Sequence, residues 1–163
     1  MSINERIVHP IAPFVPPHAH ILILGSFPSV RSRETAFFYG HPQNRFWQML
    51  STVYGESAPA SLDEKKMLLT AHGIALYDVL SACSIRGSAD STIKNVVPSD
   101  LSPILAAAPI EHILCNGKTS YHYYEKYQHP HLLRNAVPLP STSPANAGCS
   151  LSRLVIAWQT YLT

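Results

Sequence analysis

Residues 21–29 read ILILGSFPS. The four aliphatic residues from Ile21 to Leu24 do not alternate with polar residues, which is typical of a strand buried on both faces of a parallel sheet. Gly25 ends this strand, and small residues follow it in a turn. In such sheets ligands bind beyond the carboxyl ends of the strands, so the loop that starts at Gly25 is the first candidate for a binding site.

Strand and helix patterns alternate after this stretch. Predicted strands cover residues 21–24, 74–80, 113–115 and 136–139, and predicted helices cover 44–54, 61–72, 100–108 and 119–127, with a C-terminal helix striped by Leu151, Leu154, Val155, Trp158 and Tyr161. Pro138 cannot donate to a sheet ladder, so we expect the last strand at an edge. The alternation predicts an α/β fold, a three-layer α/β/α arrangement around a four-stranded parallel sheet with right-handed crossovers.

Length and composition place the chain among globular proteins. It has 163 residues, 46% of them hydrophobic and 13% charged, and a net charge of +2. These values exclude intrinsic disorder and predict one domain over residues 1–163, with residues 1–17 as a surface lead-in. The small positive charge permits an anionic partner but lacks the strongly basic signature of a dedicated nucleic-acid binder.

The sequence also suggests a cellular location. No apolar run approaches the roughly 20 residues that span a bilayer. The N-terminus lacks the basic flank and apolar core of a secretory signal, so we expect a cytoplasmic protein without membrane association. The three cysteines, Cys83, Cys115 and Cys149, are too widely spaced for a metal knuckle and odd in number, which favours reduced thiols.

The first loop, residues 25–47, reads GSFPSVRSRETAFFYGHPQNRFW. Gly25, Ser26 and Ser29 allow backbone N–H groups to approach an anion or a carbonyl, although an ordinary strand-to-helix turn has the same composition. Asn44 begins a helix and projects an amide, and Phe46 beside it offers either flat apolar surface to a ligand or core packing.

Two later loops follow other predicted strands. Asn116 at the end of the third strand offers a donor and an acceptor together, as the reading of a base edge requires, although Asn-Gly is also a common turn. The segment LPSTSPANAG over residues 139–148 places three hydroxyls between two prolines. This arrangement suits backbone phosphates, and a simple helix-capping turn is the alternative.

Four fragments together carry a family resemblance: GSFPS, YGHPQNRFW, CNGK and LPSTSPANA, in this order and spacing. They resemble the uracil-DNA glycosylase superfamily, and most closely its hypoxanthine-DNA (deoxyinosine) glycosylase branch, over roughly residues 18–163. NRFW also resembles the GNHFW of mismatch-specific thymine/uracil glycosylases. The resemblance implies a three-layer fold and a monofunctional hydrolase of base excision repair, which cleaves the N-glycosidic bond of a flipped deaminated base in double-stranded DNA.

The same resemblance implies roles for individual residues. Asn44 would be the principal catalytic residue, with Ser26 as its companion in the first motif. The base would be bound by Gly25, Phe27, Phe46 (stacking) and Asn116 (edge reading), and DNA would be held by Ser141, Thr142, Ser143 and Pro144. Position in the loops, and not the resemblance, adds His41 as a residue that shapes the base pocket and Ser29, Arg31, Arg45 and Lys118 as DNA-binding residues.

One position departs from the wider family. Uracil glycosylases commonly carry Asp or Asn as the third residue of the first motif, where this chain has Phe27, so a first-motif carboxylate is not available to activate water. Glu34 and Asp78 are the carboxylates to consider as a general base, and a structural role is the simpler interpretation of each: Asp78 as a loop anchor and Glu34 as a partner of Arg31 or Arg33. Whether either assists catalysis stays open.

Charged and metal-binding residues give weaker signals. Arg31, Arg33, Arg45, Arg86 and Lys118 are candidate cations at the rim of the cleft, and solvated surface charge is the alternative for each. The pairs His18/His20 and His129/His131 lack acidic or cysteine ligands, so we expect no metal and no cofactor. A serine hydrolase is disfavoured because GxSxG is absent.

The sequence therefore predicts a monomeric glycosylase that removes a deaminated purine, most plausibly hypoxanthine. Two alternatives stay open at this point. One is a glycosylase of the same fold that acts on uracil or thymine mismatches, and the other is a non-catalytic nucleic-acid binder that has kept the scaffold. Base preference and strand preference are not readable from the sequence.

Overall fold

The computed structural model describes residues 4–163 and confirms the predicted α/β architecture. The strands are β1 (Glu5–Val8), β2 (Ile21–Gly25), β3 (Ile74–Asp78), β4 (Leu80–Ile85), β5 (Lys94–Pro98), β6 (His112–Asn116) and β7 (Ala136–Leu139). The helices are α1 (Val30–Thr35), α2 (Phe46–Val53), α3 (Leu62–Ala71), α4 (Ser102–Ala107), α5 (Lys118–Tyr123), α6 (His129–Leu132) and α7 (Leu151–Leu162). Shorter helical turns lie at Asp90–Thr92 and Pro144–Asn146, and a π-helical turn at Tyr124–Gln128 joins α5 to α6.

The central sheet has the order β3-β2-β6-β7, and all its pairings are parallel. As predicted from Pro138, β7 lies at an edge. Every residue of β2 is buried, and its side chains alternate between two cores. Ile21 and Ile23 face a core completed by α2, α3 and α7, whereas Leu22 and Leu24 face a second core that includes residues of α4 and β4. This two-sided burial explains the uninterrupted aliphatic run.

A second sheet was not foreseen. The segment predicted as one strand over residues 74–80 is two strands, because the chain leaves β3 at Val79 and β4 joins the antiparallel order β1-β4-β5. The Val79 N–H donates to the Gly25 carbonyl at 2.8 Å, which ties this crossing to the end of β2. The apolar residues over 74–80 belong to two strands in different sheets, and hydrophobic periodicity does not show where the chain passes from one sheet to the other.

The expected surface lead-in is more integrated than its composition suggested. Its described part includes β1, the buried Ile11 and a bridge between Phe14 and Leu76, whereas residues 1–3 lie outside the described residues. β1 lies at one of the two edges of the second sheet, and its side chains are mostly exposed. The lead-in thus anchors one end of the chain against β3 and β4.

Two helical predictions need correction. The long first loop contains α1, whose N-cap Ser29 accepts a hydrogen bond from the Ser32 N–H. In α7 the inward stripe ends at Leu162, and Tyr161 is exposed. The predicted helix start at residue 61 is confirmed, because Ser61 is the N-cap of α3 and its Oγ accepts from the Glu64 N–H. Among the helices of residues 4–163, none has the length and apolarity needed to cross a membrane.

Candidate active site

A cavity of about 530 Å³ opens at the carboxyl ends of β2, β3 and β6. Parallel strands end at the same edge of a sheet, which is why loops distant in the sequence converge here. Residues of the predicted site that line it are Gly25, Ser26, Phe27, Ser29, His41, Asn44, Asn116, Ser141, Thr142, Ser143 and Pro144. The structure therefore brings together most of the residues singled out by sequence.

One side of the cavity is a chain of hydrogen bonds, which we call the amide wall: Asn44, Asn116 and Thr142. The Thr142 N–H donates to Asn116 Oδ1 at 3.0 Å, so the Asn116 Nδ2 lies toward Thr142 Oγ1, also at 3.0 Å. Thr142 Oγ1 accepts that bond and donates its own proton to Asn44 Oδ1 at 2.8 Å. Two backbone donors, the N–H groups of Thr142 and Phe46, determine the direction of every bond in this wall.

The amide of Asn44 is oriented by this wall. Its Oδ1 accepts two hydrogen bonds, one from Thr142 Oγ1 and one from the Phe46 N–H at 3.0 Å. Within the described residues its Nδ2 makes no hydrogen bond, and Asn44 lines the cavity. Asn44 therefore presents a donor to a ligand, and its oxygen is already engaged.

Two predicted DNA contacts are structural braces instead. Thr142 is fully buried, and its hydroxyl joins the two amides of the wall. The Arg45 guanidinium donates to the backbone carbonyls of Cys149 and Asn146 and so holds the 141–149 loop against α2. The buried Thr142 cannot reach a phosphate, and the main contacts of Arg45 are the two carbonyls of the loop that it braces.

Phe46 does not reach the cavity. It has no exposed surface and packs in the first core, where its ring lies against Trp158 and stacks on Tyr39 with centroids 4.1 Å apart. The predicted stacking on a base is therefore wrong for Phe46, because α2 turns this position inward. The aromatic rings that line the cavity are Phe27, Phe38 and Tyr39.

The lining of the cavity also includes a carboxylate at its rim that the sequence did not reveal. Ser26 Oγ donates to Asp90 Oδ1 at 2.9 Å, and both residues line the cavity. Asp90 as a whole residue is exposed, but protein atoms around its carboxylate displace part of the water that would solvate the charge, and this desolvation raises its pKa. The hydrogen bond from Ser26 opposes the rise, and the nearby Asp78 adds to it. Asp90 lies in a Ser- and Gly-containing loop whose composition carries no catalytic signal.

The pocket floor is formed by Gly25, Tyr39 and Asp78. β2 and β3 pair Gly25 directly with Asp78, whose side chain is only 5% exposed. His9 Nδ1 accepts from the Ile11 N–H, so the ring carries its proton on Nε2 and donates it to Asp78 Oδ2 at 2.7 Å. His9 lies in the lead-in and was missed, whereas Asp78 had been interpreted as a loop anchor.

The other predicted cations lie outside the cavity lining. Arg31 and Lys118 are exposed, and Arg31 faces Glu34 at 3.7 Å, as expected for a surface pair. Glu34 does not line the cavity, and its contact with Arg31 agrees with the structural role predicted for it. His41 Nδ1 accepts from the Gln43 N–H at 3.0 Å within its own turn. Residues 4–163 contain no group of three or more potential metal ligands, and the prediction that no metal is needed stays a prediction.

The fold and the cavity define an α/β protein with a ligand site at a parallel-sheet edge, lined by amides, hydroxyls and aromatic rings. The family model of the uracil DNA glycosylase superfamily matches residues 12–160. The chain belongs to this superfamily.

Named relatives and a solved structure agree with this membership. A protein of Methanosarcina acetivorans named hypoxanthine DNA glycosylase is 35% identical over 142 residues, which cover 83% of this chain and 86% of the relative. A protein of the same name from Methanosarcina barkeri is 34% identical over 113 residues, covering 68% and 72%. The solution NMR structure of a Methanosarcina acetivorans protein assigned to the uracil DNA glycosylases superposes with a TM-score of 0.80 at 30% identity, over 93% of this chain and 94% of that one.

Proposed function

We propose that this protein is a monofunctional DNA glycosylase that removes hypoxanthine from deoxyinosine in double-stranded DNA. The observation that carries the proposal is the single unpaired amide donor of Asn44, directed by the amide wall toward a cavity of suitable size for a purine. Family membership supplies the reaction class, and the names of the two relatives support the base.

The reaction breaks the bond between C1′ of deoxyribose and N9 of hypoxanthine. The sugar develops oxocarbenium character while negative charge accumulates on the departing base. A donor that is already oriented stabilises this charge without the cost of reorganisation. Asn44 Nδ2 is such a donor, and it does not need to titrate.

A water molecule must then bond to C1′ and lose a proton. Phe27 occupies the motif position from which other family members supply a carboxylate, and we assign this task to Asp90. Ser26 Oγ holds Asp90 Oδ1 and leaves Oδ2 to accept a hydrogen bond from the water. Ser26 is therefore a positioning residue, and the carboxylate takes up the proton that water releases.

DNA would approach across the rim of the cavity. Ser141, Ser143 and Pro144 line it, and the exposed side chains of Arg31 and Lys118 are available for phosphates. With a net charge of only +2, binding to undamaged duplex should be weak. Extruding a base costs a few kcal/mol, less at a mispair, so deaminated sites are favoured.

The deciding experiment is a substrate panel. Labelled duplexes that contain hypoxanthine, uracil, xanthine or mispaired thymine are incubated with the protein, and abasic sites are then cleaved with alkali. We expect the highest kcat/KM for hypoxanthine. A preference for uracil or thymine would replace the proposed substrate, and saturable binding without abasic product would identify a binding protein instead.

The expectations of no metal and of a monomer have tests of their own. The proposed steps use only side chains of this chain and water, so activity should persist in EDTA after dialysis. Sedimentation at assay concentration should give the mass of a monomer. The cytoplasmic location stays a prediction.

A further inference from the structure

The Tyr39 hydroxyl stands out on the pocket floor. Among the described residues it is the one buried side-chain polar atom without a hydrogen-bond partner. A buried unpaired hydroxyl costs about 1–3 kcal/mol. The backbone adds strain, because Tyr39 adopts a left-handed conformation with φ +54°, which bulky residues rarely adopt. Strained and unpaired groups of this kind concentrate at functional sites.

Asp78 contributes a second open atom to the same place. Its Oδ2 is engaged by His9 Nε2, which holds the carboxylate in one orientation. Its Oδ1 makes no hydrogen bond within residues 4–163, and the residue lines the cavity. Asp78 thus presents a fixed acceptor.

The two open atoms converge at Gly25. A Cβ at position 25 would lie 2.4 Å from Asp78 Oδ1 and 3.3 Å from the Tyr39 hydroxyl oxygen. Only glycine leaves room for both atoms to approach the backbone here. A donor and an acceptor therefore lie side by side beneath the cavity.

We propose that the Tyr39 hydroxyl and Asp78 Oδ1 read the O6 and N1–H of hypoxanthine and reject adenine. This assignment rests on the proposed function and adds the means by which the site selects its base. Burial raises the pKa of Tyr39 and the Asp78 charge adds to the rise, while the neighbouring Asn116 amide opposes it. The net direction is upward, so the hydroxyl keeps the proton that it donates.

The chemistry of the two purines explains the selection. Hypoxanthine carries an acceptor at O6 and a donor at N1, which match a hydroxyl and a carboxylate. Adenine carries an amino donor at C6 and a lone pair at N1. The Tyr39 hydroxyl can turn to accept from the amino group, but the N1 lone pair then faces the Asp78 carboxylate with no proton between them, so Asp78 supplies the discrimination. A site built for such hydrogen bonds rejects the mismatched analogue strongly, because its buried polar groups are left unpaired. Guanine shares O6 and N1–H, so this pair alone does not exclude it.

The first test is Tyr39→Phe. We expect kcat/KM on inosine DNA to fall about 10- to 100-fold, since the lost bond is made to developing negative charge. The melting temperature should stay equal or rise, because the unpaired hydroxyl is removed. Tyr54→Phe is the matched control: the Tyr54 hydroxyl donates to the Leu162 carbonyl, away from the cavity, so this variant should lose stability and keep its activity.

The second test is Asp78→Asn, which offers an amide N–H where adenine has its lone pair. Free hypoxanthine and free adenine are compared as inhibitors, and the ratio of their inhibition constants should shift toward adenine by about tenfold or more. Asp100→Asn serves as the control, since Asp100 Oδ1 only accepts from the Ser102 N–H at a helix start. A folding defect alone would lower activity without changing this ratio.

The outcomes separate the inference from the proposed function. If the wild-type protein releases no hypoxanthine, the proposed function fails. If the wild-type protein is active and Tyr39→Phe retains full activity, or Asp78→Asn folds with an unchanged inhibition ratio, the reading pair is overturned and the glycosylase assignment stands.

Discussion

The amide wall and the pocket floor of the same cavity differ in one respect. In the wall, Asn116, Thr142 and Asn44 form a continuous hydrogen-bond chain that engages both amide oxygens and leaves the Nδ2 group of Asn44 free to donate. On the floor, Tyr39 and Asp78 each keep an atom without a partner. A saturated network fixes a group in position, and an unsaturated pair retains binding capacity for a ligand. The wall therefore suits catalysis, and the floor suits selection of the base.

The strongest way to break the wall is Asn44→Asp. The carboxylate keeps oxygen acceptors for the Phe46 N–H and Thr142 Oγ1 but removes the free donor, so we expect kcat to fall about 10²- to 10³-fold. Single-turnover cleavage of inosine DNA measures the effect. Asn44→Ala should lose as much activity, and more stability. Undiminished excision by a folded Asn44→Asp protein would contradict the donor role.

The next effect concerns the rim carboxylate. Asp90→Asn should lower kcat about 10²-fold, the usual contribution of a general base. Because desolvation raises the pKa of Asp90, the wild-type rate should fall as pH drops through a value above the ordinary pKa of an aspartate, where the carboxylate gains a proton. A pH profile of the variant should lack this limb.

The pH dependence of folding stability at Asp90 should have the opposite sign to that of the rate. A raised pKa means that the folded state holds the Asp90 proton more tightly than the unfolded state. The contribution of Asp90 to stability is therefore present at low pH and lost as pH rises through the raised pKa. Melting curves of Asp90→Asn at neutral pH should equal or exceed those of the wild type, and a marked loss would indicate a structural role.

A smaller effect is expected at Thr142, the central residue of the amide wall. Thr142→Val keeps the shape of the side chain but leaves Asn116 Nδ2 and Asn44 Oδ1 each short of a partner. We expect a loss of about 1–3 kcal/mol in the free energy of unfolding and about a tenfold lower rate. Thr142→Ser retains the hydroxyl and should restore both quantities. A valine variant with the wild-type rate would show that the relay does not orient Asn44.

The smallest effect is expected outside both regions. Arg31 is 55% exposed and its partner Glu34 is 3.7 Å away, so Arg31→Ala should leave stability within about 0.5 kcal/mol of the wild type. If Arg31 contacts a phosphate, KM should rise a few-fold at constant kcat. The plot of the logarithm of the DNA-binding constant against the logarithm of the salt concentration should also become less steep by about one unit. Salt titrations of DNA binding measure this. An unchanged slope would remove Arg31 from the DNA interface.

Much of the architecture was readable from the sequence because burial leaves a local pattern. The aliphatic run of β2, Pro138 in the edge strand and the helix start at Ser61 each reflect a constraint within a few neighbouring residues. The second sheet was not readable, because β4 continues the apolar run of β3 after Val79 and β1 pairs with it from far along the chain. Phe46 was misjudged for a related reason: whether an aromatic ring faces a cavity or a core depends on the rotation of α2.

The sequence by itself determined that a parallel sheet would present the loops after β2, β6 and β7 at one edge, because the alternation of strands and helices and the length of apolar runs are local patterns. Only the tertiary structure decided which polar atoms are paired there. Asn44 meets Thr142 across 98 positions and Ser26 meets Asp90 across 64, and no local pattern encodes such distances. Hydrogen bonding depends on separation in space to within a few tenths of an ångström, and only the folded chain sets that separation.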